Sequence, residues 1–448
     1  MLKKEFKNIL GIVAEYNPFH NGHKYQIEYC KKIGKADVVV AVMSGNFSQR
    51  GEPAILDKWN RAEMALKNGV DLVIELPFYY SCNGSSIFAK GAMKTLSFIG
   101  CVNNMCFGIE GKAYEKIIEV SNLLKEETNE FSTFIKESIK NGESYPRTVE
   151  KAVIASLGDE YAGLFTPNNL LAMEYLKKKK KKKYSLLLFK KLSKDKDNFQ
   201  NIEKNFLNIV HIDRNNVDHN STNIDDDKEF NSGKSIRKIL ESKRFQRIDT
   251  FHNRSEIEVK RLCDMLKVPL ETGEILLRNS EDLNGDRHKN LYSILQYKLM
   301  CEPLGKSQSK SVSEGMENLF KKHIRNSSPE EFISHVTCKR YTSARIRRAM
   351  IHFILGIEND YSQDEYVRIL GFTDNGARLL KQIKKDKSNS APIVTNVNKH
   401  RDERANIEEK VDLYIDIKAT DLYNLISGRD LYKNSDFVKK PVIITHQH

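Results

Sequence analysis

The stretch that decides the fold reads Val13-Ala14-Glu15-Tyr16-Asn17-Pro18-Phe19-His20-Asn21-Gly22-His23. An apolar run stops at a proline-containing turn and a helix restarts near Asn21, so two histidines in H-x-G-H spacing fall in its first turn. That arrangement suits a triphosphate. Free backbone N–H groups and the positive end of the helix dipole face the anion. Each imidazole adds a donor, and Gly22 removes the Cβ that would keep a phosphate away. Zinc is the first alternative for two His at i and i+3, but no Cys pair or third His completes a site nearby. Ordinary surface histidines capping a turn are the second, which the preceding Asn17-Pro18-Phe19 disfavours. Nucleotide binding is the reading adopted, and no metal ligands are assigned.

Working outward, the first 110 residues alternate between strand and helix. Asn8–Ala14 reads as an apolar strand, Asn21–Ile33 as a helix, and Asp37–Met43 as a β-branched buried strand followed by a Ser-Gly turn. Asp57–Asn68 then reads as a helix, Asp71–Leu76 as a strand, Ser85–Phe98 as a helix and Asn104–Phe107 as a strand ending at Gly108. Apolar strands separated by helices predict an α/β, Rossmann-like fold whose parallel sheet is covered on both faces. Ligands of such sheets sit at the carboxyl ends of the strands. His20, Ser44-Gly45-Asn46 and Gly108 all fall there.

Further on, Glu115–Asn141 predicts one or two helices and Tyr161–Lys182 another, with Thr166-Pro167-Asn168-Asn169 as its cap. Ser185–Phe189 is a fifth strand candidate, and the Asn/Asp-rich Asp213–Asn231 reads as a loop. From about residue 245 to 384 the pattern is helical, including Glu256–Leu266, Leu291–Leu299, Glu314–His323 and Ser343–Leu355. Lys384–Lys410 reads as a polar linker, and Val411–Leu425 with Pro441–Thr445 as a small unit packing back on the body. The expected division is therefore 1–245, 246–384 and 385–448.

At 448 residues the chain is too long for one compact core. No apolar run reaches the roughly 20 residues of a membrane span, and Met1-Leu2-Lys3-Lys4 opens no signal peptide. Seven scattered cysteines without C-x-x-C pairs predict a reduced, cytoplasmic protein. The net charge is +13, and its placement matters more than its size. Residues 1–110 are nearly balanced, whereas Lys177–Lys183 is an unbroken lysine run and 320–350 holds eight basic residues against two acidic ones. Clustered excess charge behind a near-neutral front points to an anionic macromolecule such as RNA. A Lys- and Asn-inflated composition is the alternative.

A second constellation lies at Ser232, Ser235 and Arg237, where Ser-x-x-Ser-Ile-Arg enters a helix. Hydroxyls and a helix N-terminus would hold the β- and γ-phosphates, and Arg237 would neutralise a leaving pyrophosphate. Between the two constellations, Asp57 is expected to cap its helix, Lys58 and Arg61 to face an acid substrate, a phosphate or solvent, and Trp59 to pack between domains. In His335–Arg348, the residues Lys339, Arg340, Tyr341, Arg345, Arg347 and Arg348 combine phosphate-binding cations with one aromatic for base stacking. A solvated helix face is the competing reading.

With these pieces placed, the strand–turn–H-x-G-H element is similar to that of the adenylyl-transferring nucleotidyltransferases, and Ser232–Arg237 resembles their I-S-S-T-x-x-R element. Over nearly its whole length the chain resembles the tRNA(Met) cytidine acetate ligase family. The resemblance is carried by Gly11–His23, Val42–Trp59, Asp71–Pro77 and Phe107–Glu110, and extended by Pro167–Leu171, Ser235–Arg237, Glu314–Asn318 and Lys339–Ala349. It implies a Rossmann-like nucleotidyltransferase domain followed by a mainly α-helical C-terminal domain. It also implies an activity: ATP adenylates acetate, and the acetyl group passes to N4 of the wobble cytidine of elongator tRNA(Met). Carried over, the ATP contacts are Val13, Ala14, Glu15, Tyr16, Asn17, Pro18, Phe19, His20, Asn21, Gly22, His23, Lys24, Tyr25 and Gln26, then Gly108, Asn168 and Asn169. Lys191 stands where the family has an arginine, and a lysine lacks the bidentate fork. Mg²⁺ is expected with the ATP, and neither a membrane nor an obligatory protein partner is implied. The competing functions are a small-molecule adenylyltransferase, which would not need the basic helical region, and a non-catalytic RNA-binding protein, which would not need the phosphate-binding residues.

Overall fold

The structure, a computed structural model, describes residues 5–111, 113–126, 129–140, 143, 145–179, 208–213, 231–242, 256–283, 285–301, 312, 315–357, 365–401 and 411–445. Its centre is an eight-stranded sheet formed by β1 (Ile9–Ala14), β2 (Val38–Ser44), β3 (Leu72–Leu76), β4 (Asn104–Ile109), β5 (Asn208–Asp213), β6 (Val367–Thr373), β7 (Ile393–Val394) and β8 (Val442–Ile444). The order is β5-β4-β1-β2-β3-β6-β7, with β8 also pairing β6. Strands β1 to β5 are parallel wherever they pair with one another, and β3–β6 is the antiparallel pair.

Successive side chains of a strand point to opposite faces, and both faces here are apolar. Ile9, Val38, Val40, Val42, Leu72 and Ile74 pack under the helices Ser85–Ile99 and Pro167–Lys179. Leu10, Ile12, Val39, Ala41, Met43 and Val73 pack under α1 (Asn21–Ile33) and α2 (Lys58–Lys67). The winding reverses between β1 and β4, which makes the crevice beyond their carboxyl ends the expected ligand site.

Strands β1 to β4 and their helices match the expectation closely. Three others do not. Val367–Thr373 is a strand, not part of a helical run to 384, and it places the later part of the chain at the edge of β3. The fifth strand is Asn208–Asp213, whereas Ser185–Phe189 lies outside the described residues, as do 214–230 of the Asn/Asp-rich stretch. The polar 384–410 contains β7 and a short helix, Asn398–Arg401. At the C-terminal end β8 pairs β6, and the helix Val411–Ile426 joins a core with Phe47, Phe78 and Ile351.

The expectation of uniformly reduced cysteines is not met either. Cys30 of α1 and Cys106 of β4 form a disulfide across a separation of 76 residues, a juxtaposition visible only once the sheet is assembled.

The basic helix Ser343–Leu355 is fixed to the sheet domain by a buried histidine. His352 Nε2 donates to the Cys82 carbonyl at 2.8 Å, and its ring meets Phe78. Burial pushes the imidazole down from its ordinary 6.5 to about 4. The sign follows directly: the unfolded chain takes up a proton near pH 6.5 that the fold refuses until about pH 4. Stability is expected to fall by about 3 kcal/mol as pH drops through that window. Denaturant midpoints from pH 7 to 4 check this, and His352→Gln should flatten the slope.

Candidate active site

The turn after β1 is built from a buried aromatic. Tyr16 has φ +46, a left-handed backbone that bulky residues rarely adopt. Its ring is held by Phe19 at 4.9 Å and, edge-on, by His23 at 5.0 Å. Tyr16, Pro18 and Phe19 are buried and shape the turn, while Val13, Ala14 and Glu15 are partly exposed at the strand end. His20 is the N-cap of α1. Its backbone N–H donates to His23 Nδ1 at 3.2 Å, and the two rings stack 3.7 Å apart. Because Nδ1 of His23 accepts, the neutral ring carries its proton on Nε2, at the far edge of the ring. Asn21, Gly22, Lys24 and Gln26 are partly exposed and Tyr25 is exposed, so the first turns of α1 remain accessible.

The loop after β2 completes the floor. Ser44 Oγ, Asn46 Nδ2 and Asn17 Nδ2 are buried without hydrogen-bond partners. Buried polar atoms are nearly always satisfied, so three unsatisfied ones at adjacent strand ends mark a place suited to a polar ligand. A Cβ at Gly45 would lie 2.6 Å from Glu75 Oε1, so a larger residue would displace the carboxylate that pairs with Lys58.

Arg61 holds these pieces in register. Its guanidinium donates to the carbonyls of Glu15 (2.6 Å), Ser44 (3.1 Å), Leu56 (2.9 Å) and Gly45. The expectation that Lys58 and Arg61 face an acid substrate, a phosphate or solvent is therefore wrong, because both are fully buried. Lys58 Nζ sits 2.9 Å from Glu75 and 2.8 Å from Asp436. Trp59 is the packing residue expected, with Lys58 and Arg368 over its ring. Asp57 caps α2 through the Asn60 N–H at 2.8 Å and also pairs with Arg429.

The second constellation arrives against the first. Ser232 is the N-cap of the helix Gly233–Leu240. Its Oγ accepts from the Ser235 N–H at 3.1 Å, and the Ser235 hydroxyl donates to the Ser232 carbonyl at 2.8 Å. The hydroxyls thus serve the cap. Arg237 Nη1 donates to the Asn17 carbonyl at 2.8 Å, so the helix start docks on the turn that carries His20 and His23.

At the end of β4, Gly108 is partly exposed. Asn169 accepts from the Glu110 N–H at 2.8 Å and donates to the Glu110 and Leu164 carbonyls, while Asn168 donates to the Glu110 carboxylate. The asparagine pair fastens the strand end to the helix behind it. A cavity of about 490 Å³ opens alongside, lined by Glu110, Gly111, Glu115, Lys116, Thr166 and Asn169 among others. Lys191 lies outside the described residues. Among the described residues no three His, Cys, Asp or Glu side chains converge as a metal site.

The basic stretch divides. Lys339 is exposed and Arg340 partly so. Tyr341 is buried in the helical core with the Arg345 guanidinium over its ring, so it is a core residue and not an open stacking platform. Arg348 donates to the Gln49 carbonyl at 3.1 Å, and Arg347 lies 3.7 Å from Glu52. Both face the loop after β2. Sequence reading missed Glu52 and Asp436 and misread Arg61; for Glu52, only its position beside the Ser-Gly-Asn turn would have drawn attention to it.

The HIGH Nucleotidyl Transferase family model matches residues 7–206 and 196–436. Among similar proteins, the tRNA(Met) cytidine acetate ligase of Thermoanaerobacter sp. (strain X514) is 34% identical over 95% of this chain and 96% of its own length. That of Caldanaerobacter subterraneus subsp. tengcongensis is 35% identical over 95% and 96%. The chain belongs to the tRNA(Met) cytidine acetate ligase family. A solved relative agrees with this membership: Thermotoga maritima TmcAL bound with alpha-thio ATP has a TM-score of 0.77, at 29% identity over 98% of this chain and 100% of that one. The apo form of the same protein gives 0.79. As a member of the tRNA(Met) cytidine acetate ligase family, the chain carries the α/β nucleotidyltransferase sheet and helical C-terminal region expected of it.

Proposed function

We propose that this protein adenylates acetate with ATP and transfers the acetyl group to N4 of the wobble cytidine of elongator tRNA(Met). One observation supports this above all: the H-x-G-H helix start and the Ser232–Arg237 helix start meet at the switch point of the sheet, through Arg237 and the Asn17 carbonyl. In the first step an acetate oxygen attacks the α-phosphorus and the bond to pyrophosphate breaks. His20 and His23 stabilise charge on the α-phosphate without moving a proton, and Arg237 neutralises the departing pyrophosphate. In the second step the cytidine N4 attacks the acetyl carbon, the bond to AMP breaks, and N4 loses a proton. Orientation matters more there than a strong base, and the cytidine must leave its stack to reach the strand ends.

Mg²⁺ would be held chiefly by triphosphate oxygens and water and would supply further charge neutralisation. The tRNA would lie along the basic helical region, with Lys339 and Arg340 as accessible cations. Among the described residues no helix is long and apolar enough to cross a membrane; tRNA as substrate fits a cytoplasmic enzyme needing no obligatory protein partner.

Pyrophosphate exchange into ATP, with and without acetate, followed by nucleoside analysis of added tRNA, tests both steps. Acetate-dependent exchange with N4-acetylcytidine in the tRNA is expected. Absence of exchange with any short carboxylate, with or without tRNA, overturns the reading.

A further inference from the structure

The loop after β2 does more than complete the floor of the cleft. Phe47 and Pro53 bridge its two arms, and its tip, Gly51, has φ +73. A Cβ on Gly51 would lie 2.5 Å from the Arg348 nitrogen, so the tip is seated on the backbone of the basic helix. Beside it the Glu52 carboxylate lies 3.6 Å from Arg237 and 3.7 Å from Arg347. The three side chains keep 19% to 28% of their surface exposed, so solvent and solutes reach them. Two guanidiniums from different elements converging on one accessible carboxylate is the geometry in which arginines hold a phosphate, here with Glu52 in its place.

We propose that Arg237 and Arg347 form a phosphate subsite joining the ATP cleft to the basic helix, which Glu52 occupies until a phosphate group displaces it. The proposal rests on the reading of Arg237 as a triphosphate ligand and adds Arg347 to it. The displacing group is either a triphosphate oxygen cluster or an RNA backbone phosphate, which share the same chemistry. Displacement moves Glu52 off both arginines at once, so occupancy by one substrate changes the charge presented to the other. That makes Glu52 and Arg347 positioning residues.

The test uses the full-length protein. Titrations with a non-hydrolysable ATP analogue, with pyrophosphate, and with tRNA at several salt concentrations are compared for unsubstituted protein, Glu52→Gln, Arg347→Ala and the double variant. Glu52→Gln is nearly isosteric and keeps the loop packing. It should tighten at least one ligand about fivefold, the scale of one or two partly exposed charge pairs, and Arg347→Ala in the same chain should abolish the gain. Tightening confined to the analogue and pyrophosphate assigns the subsite to the triphosphate. Tightening confined to tRNA, with a salt slope reduced by about one in Arg347→Ala, assigns it to RNA. No tightening of any ligand, or a gain that survives removal of Arg347, overturns the proposal. The underlying reading fails separately, if Arg237→Ala binds the ATP analogue as well as the unsubstituted protein does.

Discussion

Replacing His23 by alanine is expected to lower acetate-dependent pyrophosphate exchange about 10²- to 10³-fold, the scale on which one preorganised donor to a developing charge is lost. The geometry makes the effect specific to the transition state. The His20 N–H fixes Nδ1 of His23, so the ring presents a proton from Nε2 without reorganising. His20→Ala should fall in the same range, because the two rings stack at 3.7 Å and lean on each other. The pair is expected to be non-additive. Binding of a non-hydrolysable ATP analogue should change far less than the exchange rate. Equal losses in binding and rate would show that the histidines hold the ground state only.

Lys58→Met is expected to cost about 3–5 kcal/mol, the usual loss when one partner of a buried ion pair is removed. Glu75 and Asp436 would then face each other with Arg368 as the remaining cation. Burial pushes the Lys58 ammonium down, but Asp436 and Glu75 together hold it above its ordinary value. A raised lysine contributes its stability below an unfolded value of about 10.4 and loses it only above that. The full penalty is therefore present at neutral pH. Guanidinium unfolding at pH 7 measures it. Adding Glu75→Gln should recover part of the loss by removing one orphaned charge, so the double variant falls short of the sum. A Lys58→Met protein as stable as the parent would show that the network is neutral.

The sequence made the local features legible and hid the distant ones. H-x-G-H after an apolar strand carries its own geometry, and the β-branched Val38–Met43 can hardly be anything but a buried strand. Ser232–Arg237 was readable as a helix start because its cap is local. Strand β6 was not, because Arg368 breaks its apolar run, and its partner Asp436 lies 68 residues on. Lys58 and Arg61 were misread for a similar reason. Such residues are almost always exposed, and of the two carboxylates that hold Lys58 in the interior, Glu75 lies 17 residues away and Asp436 378. Tyr341 sits among cations and looks exposed in the sequence, yet its ring fills the core beside Phe332 and Phe320. Pairing information of this range is absent from any window of sequence.

The antiparallel seam between β3 and β6 has a consequence for how the molecule is made. As the chain leaves the ribosome, residues 1–245 emerge with one edge of β3 unpaired and with Lys58 and Glu75 lacking Asp436. An open strand edge invites pairing with other chains, and contacts of such long range close late. The sheet is thus completed only after nearly the whole polypeptide has been synthesised. A fragment ending near residue 245 should emerge aggregation-prone and held by chaperones, and supplying residues 365–445 as a separate polypeptide should restore its solubility.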